Sequence, residues 1–172
     1  MGGITVQVDD AAFQGTLRQA RQALQRADTR ELMRTVGEEV KTTTIERFRR
    51  GVSPQGDKWP VTIRQQLGDP RPPLLGEGSI LARTYTYRAD ARKVEVGSNL
   101  KYAAIHHFGG TIRAKNAKAL FFRIGGTLVM RKAVTIPARP ALGLSAEDEK
   151  RLEETARDWL NMVLRDFARG GR

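Results

Sequence analysis

The sequence has no cysteine and only two histidines, His106 and His107. Without cysteine, disulfides and thiolate metal sites are excluded, which suits a reducing compartment such as the cytoplasm. The histidines are adjacent, so on a helix they diverge by about 100° and on a strand they face opposite ways. One ion cannot take both without a distorted backbone, and no acidic residue stands near them, so no metal or other cofactor is expected. No apolar run approaches the ~20 residues that span a bilayer, so no membrane partner is expected. The N-terminus lacks the basic-then-apolar pattern of a signal peptide. Gly2 does not read as a myristoylation site, because Val6 stands where Ser or Thr is wanted. Phosphate loops and nucleophile elbows are also missing: Gly125-Gly126-Thr127 has no following Lys-Ser/Thr, and Gly78-Ser79-Ile80 has no closing glycine. The paired carboxylates Asp9-Asp10, Glu38-Glu39 and Glu153-Glu154 fall at caps or on solvated helix faces. An enzyme is therefore not expected.

Acid is the most telling local absence. The 172 residues carry a net charge of +11, yet residues 96–146 contain no Asp or Glu at all. Lys101, Arg113, Lys115, Lys118, Arg123, Arg131, Lys132 and Arg139 fall in that window. Such a stretch either faces solvent or meets an acidic partner, nucleic acid or protein. Hydrophobic residues make up 40% of the chain, enough for a core, while aromatics are only 6%. The length fits a single domain over 1–172.

The patterning predicts an α+β fold: a small antiparallel sheet packed against N- and C-terminal helices, with a long Pro/Gly-rich loop and a protruding basic hairpin. Ile4, Val6 and Val8 alternate as a short strand. Asp9 or Asp10 then caps a helix to about Ala27, with Phe13, Leu17, Ala20 and Leu24 on one face. Asp28 and Glu31 form a capping box for a second helix, whose stripe is Leu32, Val36, Val40, Thr44 and Phe48 and whose end is Gly51. Residues 51–78 hold so many Pro and Gly that an extended loop or arm is predicted. Residues 81–89 alternate as a strand, and 93–96 return it. Tyr102 to Phe108 reads as a short helix stopped by Gly109-Gly110. Residues 113–134 form a basic loop and hairpin, with strands 120–124 and 127–134 about Gly125-Gly126. One ring of Phe121-Phe122 at least belongs in the core. Ser145 and Asp148 open a last helix with Leu152, Ala156, Trp159, Leu160, Val163 and Phe167 on its apolar face.

Three punctuated stretches combine apolar anchors with turn-forming residues. They are Arg47-Phe48 with Gly51, Pro54, Gly56 and Trp59; Tyr102-Ala103-Ala104-Ile105-His106-His107-Phe108-Gly109-Gly110; and Ile136-Pro137-Ala138-Arg139-Pro140-Ala141-Leu142-Gly143. In that order, with Leu120-Phe121-Phe122-Arg123 between the last two, they resemble the phage virion morphogenesis family, the tail completion proteins of Mu-like tailed phages. The resemblance runs from about Phe48 to the final helix.

That resemblance implies a structural neck protein, made in the host cytoplasm and built into the virion. It would complete or terminate the tail and offer the head–tail joining surface as a ring, expected to be a hexamer. The implied partners are further copies of itself, the tail tube protein and head-completion or connector proteins, with non-specific DNA contact in the lumen. A head-side connector or stopper is the alternative within the neck, and a basic DNA-binding phage protein is the alternative from another class. A head-to-tail ring needs two complementary patches per subunit. Trp59 is expected to anchor the arm on a neighbour, and Arg113, Lys115 and Lys118 to line the lumen or meet an acidic tube surface. Arg139 is expected on a carboxylate, either across an interface or within the fold.

Overall fold

A computed structural model describes residues 11–115, 117–124 and 126–170. The strand expected over Ile4 to Val8, the cap at Asp9 or Asp10 and the turn residue Gly125 lie outside them. Two helices open the described chain, α1 (Ala11–Arg26) and α2 (Arg30–Arg50), and α6 (Ala146–Gly170) closes it. The capping box expected from Asp28 and Glu31 does not form: Thr29 takes the N-cap position without a side-chain cap bond, and Asp28 accepts the Arg30 N–H. The α2 stripe is progressively buried toward its C-terminus, where Thr44 and Phe48 are fully enclosed. Gly51 then adopts φ 66° and ψ 41° and donates its N–H to Arg47 O, so a left-handed residue stops the helix as the sequence requires. α2 is the central element: it packs against α6 and against the strands β1 (Thr86–Ala89) and β2 (Val94–Gly97). α1 lies on α6.

The strands form three separate two-stranded antiparallel ladders rather than one sheet. β1 pairs with β2 through the turn at Asp90, which accepts the Arg92 and Lys93 N–H groups. β3 (Gly110–Arg113) pairs with β6 (Ala133–Ile136), and β4 (Leu120–Ile124) pairs with β5 (Thr127–Arg131). Three expectations are corrected here. The strand expected over 127–134 is two strands: it breaks at Lys132, after which the chain leaves β4 and returns to β3. Arg113, expected in a loop, is the last residue of β3 opposite Ala133. The strand expected over 81–89 begins only at Thr86, because Ile80–Arg83 is a short helix, α4. Leu81 and Ala82 are adjacent and both buried, which a strand with alternating faces cannot achieve.

The 51–78 segment folds back on its own chain. Val52 bridges Lys58, Ser53 N–H donates to Asp57 O, and Trp59 N–H donates to Gly51 O. It also contains the short helix α3 (Ile63–Gln66), capped by Thr62 and Gln65 in a reciprocal box. The core is built around Phe48, Trp59, Leu81, Ala82, Tyr85 and Ala141. Phe48 is its hub, with Trp59 edge-on at 5.3 Å and Tyr85 tilted at 5.4 Å between ring centroids.

Candidate functional site

The three punctuated stretches meet, and they meet inside the protein. Segment 137–143 is held on every side. Trp59 Nε1 donates to Pro140 O at 3.1 Å. Arg139 Nε and a terminal nitrogen donate to Pro60 O at 3.1 and 2.9 Å, and its own N–H donates to His106 O at 2.8 Å. Ala141 N–H donates to His107 Nδ1 at 3.4 Å. Arg47 then donates to Ala141 O at 2.9 Å and Gly143 O at 2.7 Å, and ion-pairs with Asp148. This clasp ties the end of α2, the 51–60 loop, the short helix α5 (Ala103–Phe108) and the start of α6 to one irregular strap.

Asp148 is the pivot of the clasp. One of its carboxylate oxygens accepts Ser145 N–H at 2.8 Å, Ser145 Oγ at 2.6 Å and Arg47; the other accepts Arg151 at 3.2 Å. Ser145 Oγ in turn accepts Asp148 N–H at 3.1 Å, completing an N-terminal box on α6. Burial alone would raise the Asp148 carboxyl, but the Ser145 hydrogen bonds and the charges of Arg47 and Arg151 outweigh it and hold the group below 3.8. Burial pulls the guanidinium groups of Arg47 and Arg139 below their ordinary range. Sequence reading assigned Asp148 only to opening α6. Its pairing with Arg47 spans 101 positions, and the one local signal was an arginine beside a buried phenylalanine.

The glycines of the motifs serve the same packing. Gly109 has φ 71°, and a Cβ there would lie 2.8 Å from Ala138 N and 3.0 Å from Ile136 O, so only glycine lets α5 turn against the strap. Gly143 sits against Pro54, Gly110 against Ile105, and Gly51 against Pro73. Gly56 turns the 52–58 loop with φ 89°. Pro54 is buried, while Pro137, the first residue of the strap, is exposed.

Two expected interface residues are therefore corrected. Trp59 is 5% exposed and sits in the core of its own chain, because its ring completes the Phe48 cluster and its N–H reaches Pro140. Arg139 is equally enclosed, and its guanidinium takes carbonyls of Pro60 and Val61 instead of a carboxylate. The expectation for Phe121 and Phe122 also fails: Phe121 is well exposed and Phe122 half-buried.

Arg113, Lys115 and Lys118 are all exposed, as are Arg123, Arg131 and Lys132. They surround the β4–β5 hairpin, whose contacts are chiefly between its own two strands. Tyr102 and Phe108 are exposed at the two ends of α5, with Tyr102 edge-on to His106 and Phe108 edge-on to His107. Burial lowers both imidazoles from 6.5, so His107 is the neutral acceptor that its Nδ1 contact requires. A cleft of ≈ 550 Å³ lies beside the clasp, where Glu46 and Glu147 interleave with Arg50 and Arg151. Among the described residues no group of three or more His, Cys, Asp or Glu side chains could hold a metal ion. No described helix is long and apolar enough to cross a membrane.

Comparison with known proteins agrees with the motif reading. The sequence profile of the phage virion morphogenesis family matches residues 8–161. The Mu-like prophage FluMu G protein 2 of Haemophilus influenzae is 28% identical over 134 residues, covering 78% of this chain and 80% of that protein. No solved structure gives a significant match. With the profile spanning nearly the whole chain and the three motif stretches joined in one clasp, this chain belongs to the phage virion morphogenesis family.

Proposed function

We propose that this protein is a non-enzymatic neck component that completes the phage tail, forming a ring whose exposed basic surface meets acidic protein in the tail tube and joins the tail to the filled head. One observation carries the reading. The motif residues close an internal clasp, which leaves the exposed cations Arg113, Lys115 and Lys118 beside the β4–β5 hairpin, in a stretch of sequence without Asp or Glu, as the groups on offer to partners. A scaffold that spends its buried polar groups on rigidity suits a part that must present fixed patches to several neighbours. Positive potential on such a face favours capture of acidic surfaces and weakens with salt.

The test is in vitro joining. Purified protein is added to filled heads and detached tails from a phage lacking it, and infectious particles are counted. The wild-type chain should restore joining. Lys115→Glu with Lys118→Glu should reduce it while leaving the far-ultraviolet circular dichroism and unfolding midpoint unchanged. Undiminished joining by the double variant would remove the basic loop from the mechanism, and no joining by the wild type would remove tail completion itself.

A further inference from the structure

The β4–β5 hairpin has an apolar face that no described residue buries. Phe121 and Met130 are directly opposed across the ladder, and Leu128 is opposed to Arg123 on the same face. Phe121 is 62% exposed, Leu128 61% and Met130 60%. Contiguous exposed apolar side chains of this kind mark interaction surfaces. The rim is cationic, with Arg123, Arg131 and Lys132 exposed and no carboxylate within its own sequence window.

The complementary pattern stands on α6 of the same chain. Glu149, Glu153, Ala156 and Leu160 recur at three- and four-residue spacing, so they share one helix face. That face is turned about 110° from Asp148, and all four residues are exposed. Glu147 and Asp148 are neutralised by Arg151, whereas Glu149 and Glu153 have no ion pair within 4.0 Å among the described residues. The stripe therefore offers free negative charge beside an apolar pair, matching the free positive charge and apolar trio of the hairpin. Both patches lie on one molecule and differ from each other, the requirement for a head-to-tail contact.

We infer that the occupant of the hairpin face is a second copy of this chain: Phe121, Leu128 and Met130 of one subunit rest on Ala156 and Leu160 of the next, with Arg123 beside Glu153. This rests on the ring reading above and names the contact that would propagate the ring. Apolar contact supplies the attraction, and the charges set register and discourage hairpin-on-hairpin pairing, where like charges would meet.

The absence of cysteine gives a clean test. Met130→Cys and Ala156→Cys are made singly and together in the full chain, oxidised mildly with and without tails from a phage lacking the protein, and run on non-reducing gels beside native mass spectrometry. The double variant should give a ladder of cross-linked multimers and each single variant none. Arg123→Glu in the double-cysteine chain should abolish the ladder, and adding Glu153→Lys should restore it. A dimer from Met130→Cys alone would mean that hairpins pack on each other and would overturn the contact. An oligomer by mass that gives no ladder would overturn the contact while leaving the ring reading standing, whereas a monomer in every condition would overturn both. If the double-cysteine chain gave no ladder and Arg123→Glu removed retention on a DNA column, the face would belong to nucleic acid and the contact would be overturned.

Discussion

Breaking the Arg47–Asp148 pair should be the most damaging single change in the clasp. Arg47→Met keeps the aliphatic bulk of the side chain on α2 but removes every donor. Three partners lose a hydrogen bond: Ala141 O, Gly143 O and the Asp148 carboxylate. Removing one member of a buried ion pair costs about 3–5 kcal/mol, because the remaining charge has left water without compensation. Asp148 keeps Ser145 and the half-exposed Arg151, which limits the penalty on its side. Ala141 O is buried and has no such substitute, and a buried acceptor left alone costs about 1–3 kcal/mol, whereas Gly143 is exposed and its carbonyl can take water. We therefore expect a loss of about 3–5 kcal/mol, equivalent to roughly 6–20 °C in melting temperature for a chain of this size. Urea unfolding followed by tryptophan fluorescence reads it directly, since Trp59 lies in the core that the clasp closes. Because the buried Ala141 carbonyl would still lack a donor, Arg47→Met with Asp148→Leu should remain at least about 1 kcal/mol below wild type. A cost under about 1 kcal/mol for Arg47→Met alone would refute the reasoning.

Other perturbations follow from the same geometry. Gly37→Ala should destabilise by about 1–3 kcal/mol in spite of alanine's better helix propensity, because its Cβ would lie 2.3 Å from the Tyr87 ring; in a Tyr87→Ala background thermal unfolding should show the change to be neutral or favourable. Asp148 is held below 3.8 in the fold, so its contribution is present above that pH and is lost as pH falls through the lower folded value. Stability measured between pH 5 and 2 should fall less steeply in Asp148→Asn, from a lower starting point. Burial lowers His107 from 6.5, so its neutral ring contributes fully above pH 6.5 and the contribution fades as pH drops below it. His107→Asn, which can still accept the Ala141 N–H, should flatten part of that slope, and His106 should account for a remainder.

Local signals carried the helices, and long-range closure was what the sequence hid. The α2 stripe, the stop at Gly51 and the Ser145–Asp148 box are all decided within a few residues, and each stands where the patterning puts it. The short helix stopped at Gly109 and the turn at Asp90 are equally local. Alternation failed at 81–85 because Leu81, Ala82 and Tyr85 all enter one core, so tertiary packing overrode the period of two. β3 was missed because its four residues are all exposed and carry no apolar alternation; its pairing with β6 is fixed by distant neighbours. Trp59 and Arg139 were noticed for the right reason, since each is an expensive residue in an irregular segment. Their partners, Pro140 O and Pro60 O, are backbone atoms about 80 positions away that leave no trace in side-chain pattern. Exposure of Phe121 was hidden for the opposite reason: a strand pattern marks two faces without saying which of them the rest of the chain leaves open.

Electron microscopy of a lysate from a phage lacking this gene tests the central claim most directly. The account predicts filled heads beside detached tails, with tails of irregular length where termination has failed. Normally joined particles would contradict it, and heads that leak or lack DNA beside normal tails would move the protein to the head side of the neck.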